Sequence, residues 1–240
     1  MGQGIFQQQK NGLYAVNISS PGGLMTVDQL TQLAKIAADL GVWRIKCGTR
    51  QTLIAVLEED KISAFIDAIK TINLQVSPFG STVRSVKACS GGQGLCPRML
   101  GDALTLGTTI ESNYLGQPTP KDFKISTAGC ARGCTEPYCA DFGVVAVGKD
   151  LFNIIIGGRG STNRPIHGQI VAKEVVTDKV SAVLDFVLER YRQLAQPHER
   201  LCNTIERIGI EQFIPPTELY LTNENVGVDE DFANFLLSDN

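Results

Sequence analysis

Histidine, tryptophan and long apolar runs are scarce in this chain of 240 residues. No apolar run approaches the about 18 residues that a membrane-spanning helix needs, so we expect no membrane partner. The N-terminal Met-Gly-Gln-Gly-Ile-Phe lacks the apolar core of a signal peptide, which favours a cytoplasmic protein. The only histidines are His167 and His198, and no serine lies in a nucleophile-elbow context, so a hydrolase triad has little support.

A basic excess is also absent, because the net charge is −3 with 20% charged residues. Proteins that bind nucleic acid usually carry a basic excess, so we expect no nucleic-acid partner. With 43% hydrophobic residues, the chain is long enough to bury one large core or two small ones. No nucleotide-binding motif is complete: Gly143 to Lys149 has phosphate-loop spacing, but Asp150 stands where a hydroxyl is required.

The hydrophobic pattern predicts a small α+β unit in the first part of the chain, with helices on one face of a sheet. A capping box of Thr26 and Gln29 opens its first helix, and Gly41 suits the left-handed end of that helix. The other predicted elements are strands at 12–20, 42–46, 52–57 and 74–77, and a helix that buries Ile62, Phe65, Ile66 and Ile69.

A second run of elements follows Pro78 and Gly80. We predict a helix from Cys96-Pro97 to about Leu115, strands at 124–127, 142–147 and 151–156, a helix capped by Thr177, and a helix over 198–208. The Thr177 helix should bury Val180, Val183, Leu184, Val187, Leu188 and Tyr191. The tail from 214 to 240 has six acids and no Lys or Arg, which favours a solvated tail or a strap over a basic surface.

Five of the seven cysteines fall between residues 84 and 143. Cys89 and Cys96 lie in one glycine-rich loop with six residues between them, and Cys130 and Cys134 lie in another with three. An odd, clustered set of this kind is not a disulfide framework. Four thiolates with neighbouring glycines favour an iron–sulfur cluster, whose sulfurs accept backbone hydrogen bonds. Structural zinc is the alternative, although its cysteine pairs are usually spaced more tightly.

The residues around the second cysteine pair carry a specific resemblance. The run Ala-Gly-Cys-Ala-Arg-Gly-Cys at 128–134, followed by Pro137-Tyr138 and by Ala-Asp-Phe-Gly at 140–143, resembles the signature of the sulfite and nitrite reductase family. The similarity covers roughly residues 12 to 213, including Val-Arg-Ser-Val at 83–86 and Glu199-Arg200.

The resemblance implies a [4Fe–4S] cluster held by Cys89, Cys96, Cys130 and Cys134, with Cys134 also bridging to the iron of sirohaem. Cys139 is then either a further ligand or a wall of the site. Three cations match family positions that contact a small anionic substrate: Arg50, Arg84 and Lys124. Further cations are expected to bind the carboxylates of sirohaem: Arg44, Lys46, Lys87, Arg98, Arg132, Arg159 and Arg164.

Three departures from the family pattern stand out. The first cysteine pair encloses six residues where the family usually has five. Asp122 stands where the family commonly has a lysine, and an acid there would weaken anion binding unless Lys121 compensates. Familiar members contain two copies of the unit and this chain has one, so either a small single-unit reductase folds around the haem alone or a homodimer supplies the second copy.

We therefore predict an α+β protein with a ferredoxin-like half-domain at 1–78, a sirohaem and [4Fe–4S] core at 79–213, and an acidic C-terminal tail at 214–240. The expected function is a small sulfite reductase resembling the assimilatory type, supplied with electrons by an external donor such as a ferredoxin or a partner subunit. Nitrite is the rival substrate. A [4Fe–4S] electron-transfer subunit without catalysis is the alternative from another class.

Overall fold

A computed structural model describes residues 4–7, 12–92, 94–161 and 163–221. These residues form two α+β units, each built on its own sheet, which meet along a shared interface. The predicted acidic tail lies outside the described residues from 222 onward. No helix in the described ranges combines the length and the apolar character needed to cross a membrane.

The elements of the first unit are β1 (Ile5–Gln7), β2 (Tyr14–Ser19), α1 (Val27–Asp39), β3 (Arg44–Cys47), β4 (Leu53–Leu57), α2 (Ile62–Thr71) and β5 (Gln75–Val76). The two helices pack against an antiparallel sheet with strand order β1-β2-β4-β3, and β5 also pairs with β2. The core contains Leu33 and Ala37 from α1 and Phe65 and Ile69 from α2.

Local chemistry sets the ends of α1. The Gln29 backbone N–H donates to Thr26 Oγ1 at 3.0 Å, and the Thr26 N–H donates to Gln29 Oε1 at 2.9 Å. The predicted capping box is therefore confirmed. Gly41 follows the helix at φ +64°, a left-handed conformation that glycine adopts without steric cost.

The elements of the second unit are β6 (Lys87–Ala88), α3 (Ala103–Tyr114), β7 (Ile125–Ala128), β8 (Phe142–Gly148), β9 (Leu151–Ile156), β10 (Gln169–Val176), α4 (Val180–Leu194) and α5 (Leu201–Ile208). Its mixed sheet has the order β10-β9-β8-β7-β6. Strands β6, β7 and β8 run parallel, β9 pairs antiparallel with β8, and β10 pairs antiparallel with β9. All six predicted core positions of α4 are buried, so the 3.6-residue period identified its inner face correctly.

Helix starts were predicted less well than helix faces. The helix predicted from Cys96 begins at Ala103, because Asp102 Oδ1 accepts the Thr105 N–H at 2.9 Å and makes Asp102 the N-cap. The prediction that Thr177 caps α4 was wrong, since residues 177–179 form a 3₁₀ turn without a side-chain cap. The last helix begins at Leu201 rather than 198.

Three strands escaped the sequence analysis: β1, β6 and β10. The first two have three and two residues, too few to display an alternating pattern. The third is interrupted by two register shifts against β9, and Glu174 takes φ +55° within it. Such irregularities disturb the period-two pattern by which a strand is recognised.

The chain beyond 213 begins as part of the second unit. Tyr220 is 7% exposed and packs in the same core as Phe213, with Leu219 partly buried beside it. The packed structure therefore continues at least to Tyr220.

The β3–β4 hairpin loop joins the two units. Gln51 Nε2 donates to the Ala88 carbonyl, and the Ala88 N–H donates to Gln51 Oε1, both at 2.8 Å. Because β6 is the edge of the second sheet, the Gln51 amide satisfies backbone groups that would otherwise be unpaired. On the other side of β6, Glu111 Oε2 accepts the N–H groups of Val86 and Gly22 at 3.0 and 3.1 Å.

Candidate active site

The two cysteine loops leave neighbouring parallel strands at the same edge of the sheet. Cys89 directly follows β6, and Cys130 lies two residues after the end of β7. The Cys89 N–H donates to the Thr127 carbonyl at 3.0 Å, which continues the parallel ladder into the loop. Carboxyl ends of parallel strands are where such sheets place their functional loops. The topology thus explains why thiols far apart in sequence share one region.

Glycines hold the two loops in backbone contact. A Cβ atom added to Gly91 would lie 3.0 Å from the Gly129 Cα, so neither position accommodates a side chain without displacement. The Leu100 N–H donates to the Gly129 carbonyl at 2.7 Å, which fastens the segment after Cys96 to the second loop. The first loop therefore lies directly against the second.

The thiols differ in their exposure. Cys89 is buried, Cys96 and Cys130 are partly buried, and Cys134 and Cys139 are exposed. The Gly91 N–H donates to Cys89 Sγ at 3.3 Å, the kind of hydrogen bond that tunes an iron–sulfur centre. In the described part of the chain, no three cysteine, histidine or carboxylate side chains lie close enough to hold one metal ion. Thiols on two touching loops, one of them already bonded to a backbone amide, fit the donor set of a cluster.

A cationic cleft of about 400 Å³ opens beside the second cysteine loop. It contains four of the cations predicted from the sequence and one, Arg200, that was not predicted. The lining residues are Thr49, Arg50, Phe79, Arg84, Lys87, Asp122, Lys124, Ser126, Thr135, Glu136, Cys139, Ala140, Gly160 and Arg200. Cys139 therefore lies on the cleft wall, and both structural units contribute to the cleft.

Arg50 spans the interface between the units. Its Nε donates to the Ser85 carbonyl and its Nη2 to the Ile125 carbonyl, both at 2.7 Å. Burial, together with the nearby charge of Arg84, lowers the pKa of Arg50 to about 10. The guanidinium is still protonated at neutral pH, so it brings positive charge to the junction of the two units.

Arg84 is 7% exposed and is held by an aromatic ring and a carbonyl. Its Nε donates to the Pro78 carbonyl at 3.0 Å, and its guanidinium carbon lies 4.0 Å from the Phe79 ring centroid. Burial lowers the pKa of Arg84, and the Asp122 carboxylate partly opposes that shift.

Asp122 links the remaining cations. Its carboxylate lies 2.8 Å from Lys124 Nζ and 3.5 Å from an Nη atom of Arg200. Arg200 also contacts both oxygens of Asp141, at 3.0 and 2.9 Å. Burial raises the pKa of Asp141, whereas Asp141 and Asp122 raise the pKa of Arg200 against the opposing effect of its own burial. The compensation expected from Lys121 thus comes from Lys124 and Arg200.

The predicted sirohaem contacts are spread over several parts of the structure. Lys87 lines the cationic cleft and pairs with Glu136 at 2.6 Å. Arg44 and Lys46 line a neighbouring cleft of about 490 Å³ on the first sheet, which shares Arg50 and Arg84 with the cationic cleft.

The other four predicted sirohaem contacts lie elsewhere. Arg98 and Arg132 are exposed on the two cysteine loops. The backbone of Arg159 pairs with that of Ile166. Arg164 forms an ion pair with Glu206 and lines a separate cleft of about 320 Å³, which also contains His167.

Arg200 is the functional candidate that residue-by-residue reasoning missed. It belongs to the Glu199-Arg200 pair that the sequence analysis noted only as part of a similar block. It reaches the cleft from the segment before α5, 78 positions from Asp122. The available signal was an arginine in a family-like block, but nothing local indicated its partners.

The structure combines two α+β units, thiol-bearing loops at one end of a parallel sheet and a cationic cleft beside them. The family model described as "Nitrite and sulphite reductase 4Fe-4S domain" matches residues 79–225, and the "Nitrite/Sulfite reductase ferredoxin-like half domain" matches residues 5–72. The chain therefore belongs to the nitrite and sulfite reductase family. The resemblance and the fold class expected from the sequence are both confirmed.

Relatives in this family differ greatly in length. A nitrite reductase [NAD(P)H] of Emericella nidulans is 29% identical over 206 residues, which cover 85% of this chain but only 18% of that protein. A sulfite reductase, assimilatory-type, of Nitratidesulfovibrio vulgaris is 28% identical over 215 residues, which cover 87% of this chain and 94% of that protein. The chain thus spans a small part of one relative and nearly all of the other.

Solved structures support the fold. The crystal structure of dissimilatory sulfite reductase I superposes with a TM-score of 0.76 at 14% identity, over 91% of this chain and 74% of that chain. The NirA protein of Mycobacterium tuberculosis gives a TM-score of 0.75 at 18% identity, over 88% of this chain and 44% of that one. At these identities the likeness concerns the fold alone.

Proposed function

We propose that this chain is a small sulfite reductase that reduces sulfite to sulfide at a sirohaem coupled through the Cys134 thiolate to a [4Fe–4S] cluster. The observation that carries the proposal is the cationic cleft, because Thr135, Glu136 and Cys139 of its wall belong to the same loop as Cys134. An anion bound in the cleft would therefore lie beside the thiols proposed to hold the metal centre.

The proposed ligands of the cluster are Cys89, Cys96, Cys130 and Cys134. When bound, sirohaem and the cluster would supply electrons one at a time to the substrate. The protein must bind the anion and deliver protons, since hydrogen sulfite takes up six electrons and six protons to give hydrosulfide and three waters. Arg50, Arg84 and Lys124 are the proposed substrate contacts, and Arg44, Lys46 and Lys87 would face the carboxylates of sirohaem.

The similarity to the assimilatory-type sulfite reductase of Nitratidesulfovibrio vulgaris supports the assimilatory-type proposal, since the match covers 94% of that relative. The sequence contains no complete nucleotide motif, so we propose that electrons come from a separate donor, such as a ferredoxin or a partner subunit. Pairing of two chains would provide the second copy of the unit that familiar members contain.

Nitrite reduction to ammonia is the second candidate. The observation that favours it is the 29% identity to a nitrite reductase across 85% of this chain. The two candidates share the cleft and the proposed cofactors, so they are distinguished by measuring the rates of sulfite and of nitrite reduction.

The first test is an absorption spectrum of anaerobically purified protein, with iron, acid-labile sulfide and haem measured in the same sample. Sirohaem bands with four irons per cluster are the expected result. A cluster without sirohaem, in cells that make sirohaem, would support the electron-transfer alternative.

The bridging role of Cys134 is tested by Cys134→Ser. We expect loss of cluster–haem coupling and loss of sulfite reduction, because serine does not provide the thiolate that joins the two centres. Cys47→Ser is the matched control, since Cys47 is an exposed thiol on the edge strand β3. Retained sulfite reduction in Cys134→Ser would reject the bridge.

A further inference from the structure

The cations of the cleft are not equally available to an anion. Lys87 is paired with Glu136, and both Lys124 and Arg200 contact Asp122. In the described part of the chain, Arg50 and Arg84 are the cleft cations without a carboxylate within ion-pair distance. The three carboxylate-paired cations therefore add less net positive charge to the cleft than their number suggests.

Asp122 is held firmly in this position. Its side chain is 17% exposed and lies between two cations, Lys124 immediately before β7 and Arg200 from the segment before α5. Arg200 is itself anchored by the fully buried carboxylate of Asp141. Asp122 cannot rotate away from the cleft without giving up the 2.8 Å contact with Lys124.

Asp122 has charged neighbours of both signs. The positive charges of Arg50 and Arg84 act on it, and Lys124 and Arg200 contact it directly. The buried Asp141 carboxylate shares Arg200 with Asp122, Glu136 lines the same cleft, and the Tyr191 hydroxyl of α4 interacts with Asp122 electrostatically. A bound anion would thus meet two arginines held by carbonyls and a carboxylate that shares its cations.

We infer that Asp122 sets how strongly the cleft prefers one anion charge over another, lowering the affinity for doubly charged sulfite more than the affinity for singly charged oxyanions such as hydrogen sulfite and nitrite. This inference rests on the proposed function and deepens it. The reason is Coulombic: each additional negative charge on the ligand is repelled by the carboxylate, and in a partly buried site the repulsion of one extra charge at a few ångströms lowers affinity by about tenfold or more. A lysine at this position would have the opposite effect.

The test compares anion binding by cofactor-loaded wild type and Asp122→Asn, using sulfite and nitrite titrations followed by the haem absorption without turnover. Hydrogen sulfite loses its proton near neutral pH, whereas nitrite keeps a single charge. We expect Asp122→Asn to raise the affinity for sulfite about tenfold more above that range, where the anion is doubly charged, than below it. The factor by which Asp122→Asn raises the affinity for nitrite should stay constant with pH.

Asp67→Asn is the matched control, since it removes an exposed carboxylate that pairs with Lys70 on α2, in the other unit. It should keep the wild-type titration. Asp122→Ser replaces Asp122→Asn if the latter does not fold. Asp122 variants that raise the affinity for sulfite by the same factor above and below that pH range would overturn the inference alone. A chain that takes up no sirohaem would overturn the proposed function and the inference with it.

Discussion

The two sides of the cationic cleft hold positive charge by different means. On one side, Arg50 and Arg84 are oriented by backbone carbonyls and by the Phe79 ring. On the other, Lys87, Lys124 and Arg200 are oriented by carboxylates. Carbonyl oxygens and aromatic faces fix a guanidinium while leaving its unit charge uncancelled, whereas a carboxylate fixes a cation by neutralising it.

The difference indicates how one cleft can be both rigid and selective. The first side supplies the charge that attracts an anion. Burial opposes the charged form of these arginines, since it lowers the pKa of both. The second side builds a network around the buried Asp141 and leaves little surplus charge. Three substitutions test this contrast, beginning with the largest expected effect.

Arg200→Gln should break the carboxylate-held side. It leaves Asp141 fully buried without its cation, and removing one partner of a buried ion pair costs about 3–5 kcal/mol. The loss should be largest at neutral pH and smaller in acid, because burial already raises the pKa of Asp141 and protonation removes the unpaired charge. Urea unfolding of wild type and Arg200→Gln at several pH values measures this loss in the free energy of unfolding.

The double variant Asp141→Asn with Arg200→Gln is the control for that experiment. It removes both charges, and asparagine can still accept the Lys124 backbone N–H that Asp141 accepts at 2.9 Å. We expect it to recover much of the lost free energy of unfolding. A double variant as unstable as Arg200→Gln would contradict the ion-pair explanation.

Arg50→Lys should weaken the carbonyl-held side. Lysine keeps the charge but cannot reproduce the fork that reaches the Ser85 and Ile125 carbonyls, so we expect a loss of about 1–3 kcal/mol in the free energy of unfolding. Arg44→Lys is the matched control, because Arg44 lies exposed on the same hairpin over Trp43. Equal stability of the two variants would show that the hydrogen bonds of Arg50 to the Ser85 and Ile125 carbonyls contribute little to the free energy of unfolding.

Glu111→Gln examines the reverse arrangement, an anion held by backbone amides at the interface of the units. Burial raises the pKa of Glu111 to about 6, although the Gly22 and Val86 amides oppose the shift. A carboxyl whose folded pKa is raised stabilises the fold fully below its unfolded pKa and loses that contribution as pH rises through the folded value. Wild type should therefore lose about 2 kcal/mol between about pH 4.5 and neutrality relative to Glu111→Gln.

The measurement is the difference in unfolding free energy between the two proteins across that pH range. Asp67→Asn again controls for the loss of one negative charge from an exposed position. Parallel stability curves for wild type and Glu111→Gln would show that Glu111 is not responsible for the pH dependence.

Features that depend on neighbours along the chain could be predicted from the sequence. The capping box of Thr26 and Gln29, the left-handed Gly41 and the buried face of α4 all follow from local spacing. The cysteine motif at 130–134 was specific enough to indicate the family, which the family models then confirmed. The start of α3 was predicted wrongly: the helix expected from Cys96-Pro97 begins at Ala103, after the Asp102 cap, and the preceding Leu100 and Gly101 donate to the Gly129 carbonyl.

The tertiary structure alone decided which charges share the cleft. Arg200 and Asp122 are 78 positions apart, and Arg50 meets the Ile125 carbonyl across 75. No periodic pattern reports such pairs, because they depend on how β7, the β3–β4 hairpin and the segment before α5 pack together. The sequence named most of the cations, but whether each one is cancelled by a carboxylate or held by a carbonyl is a property of the folded chain. Coulombic interactions depend on distance in space, and distance along the chain does not fix it.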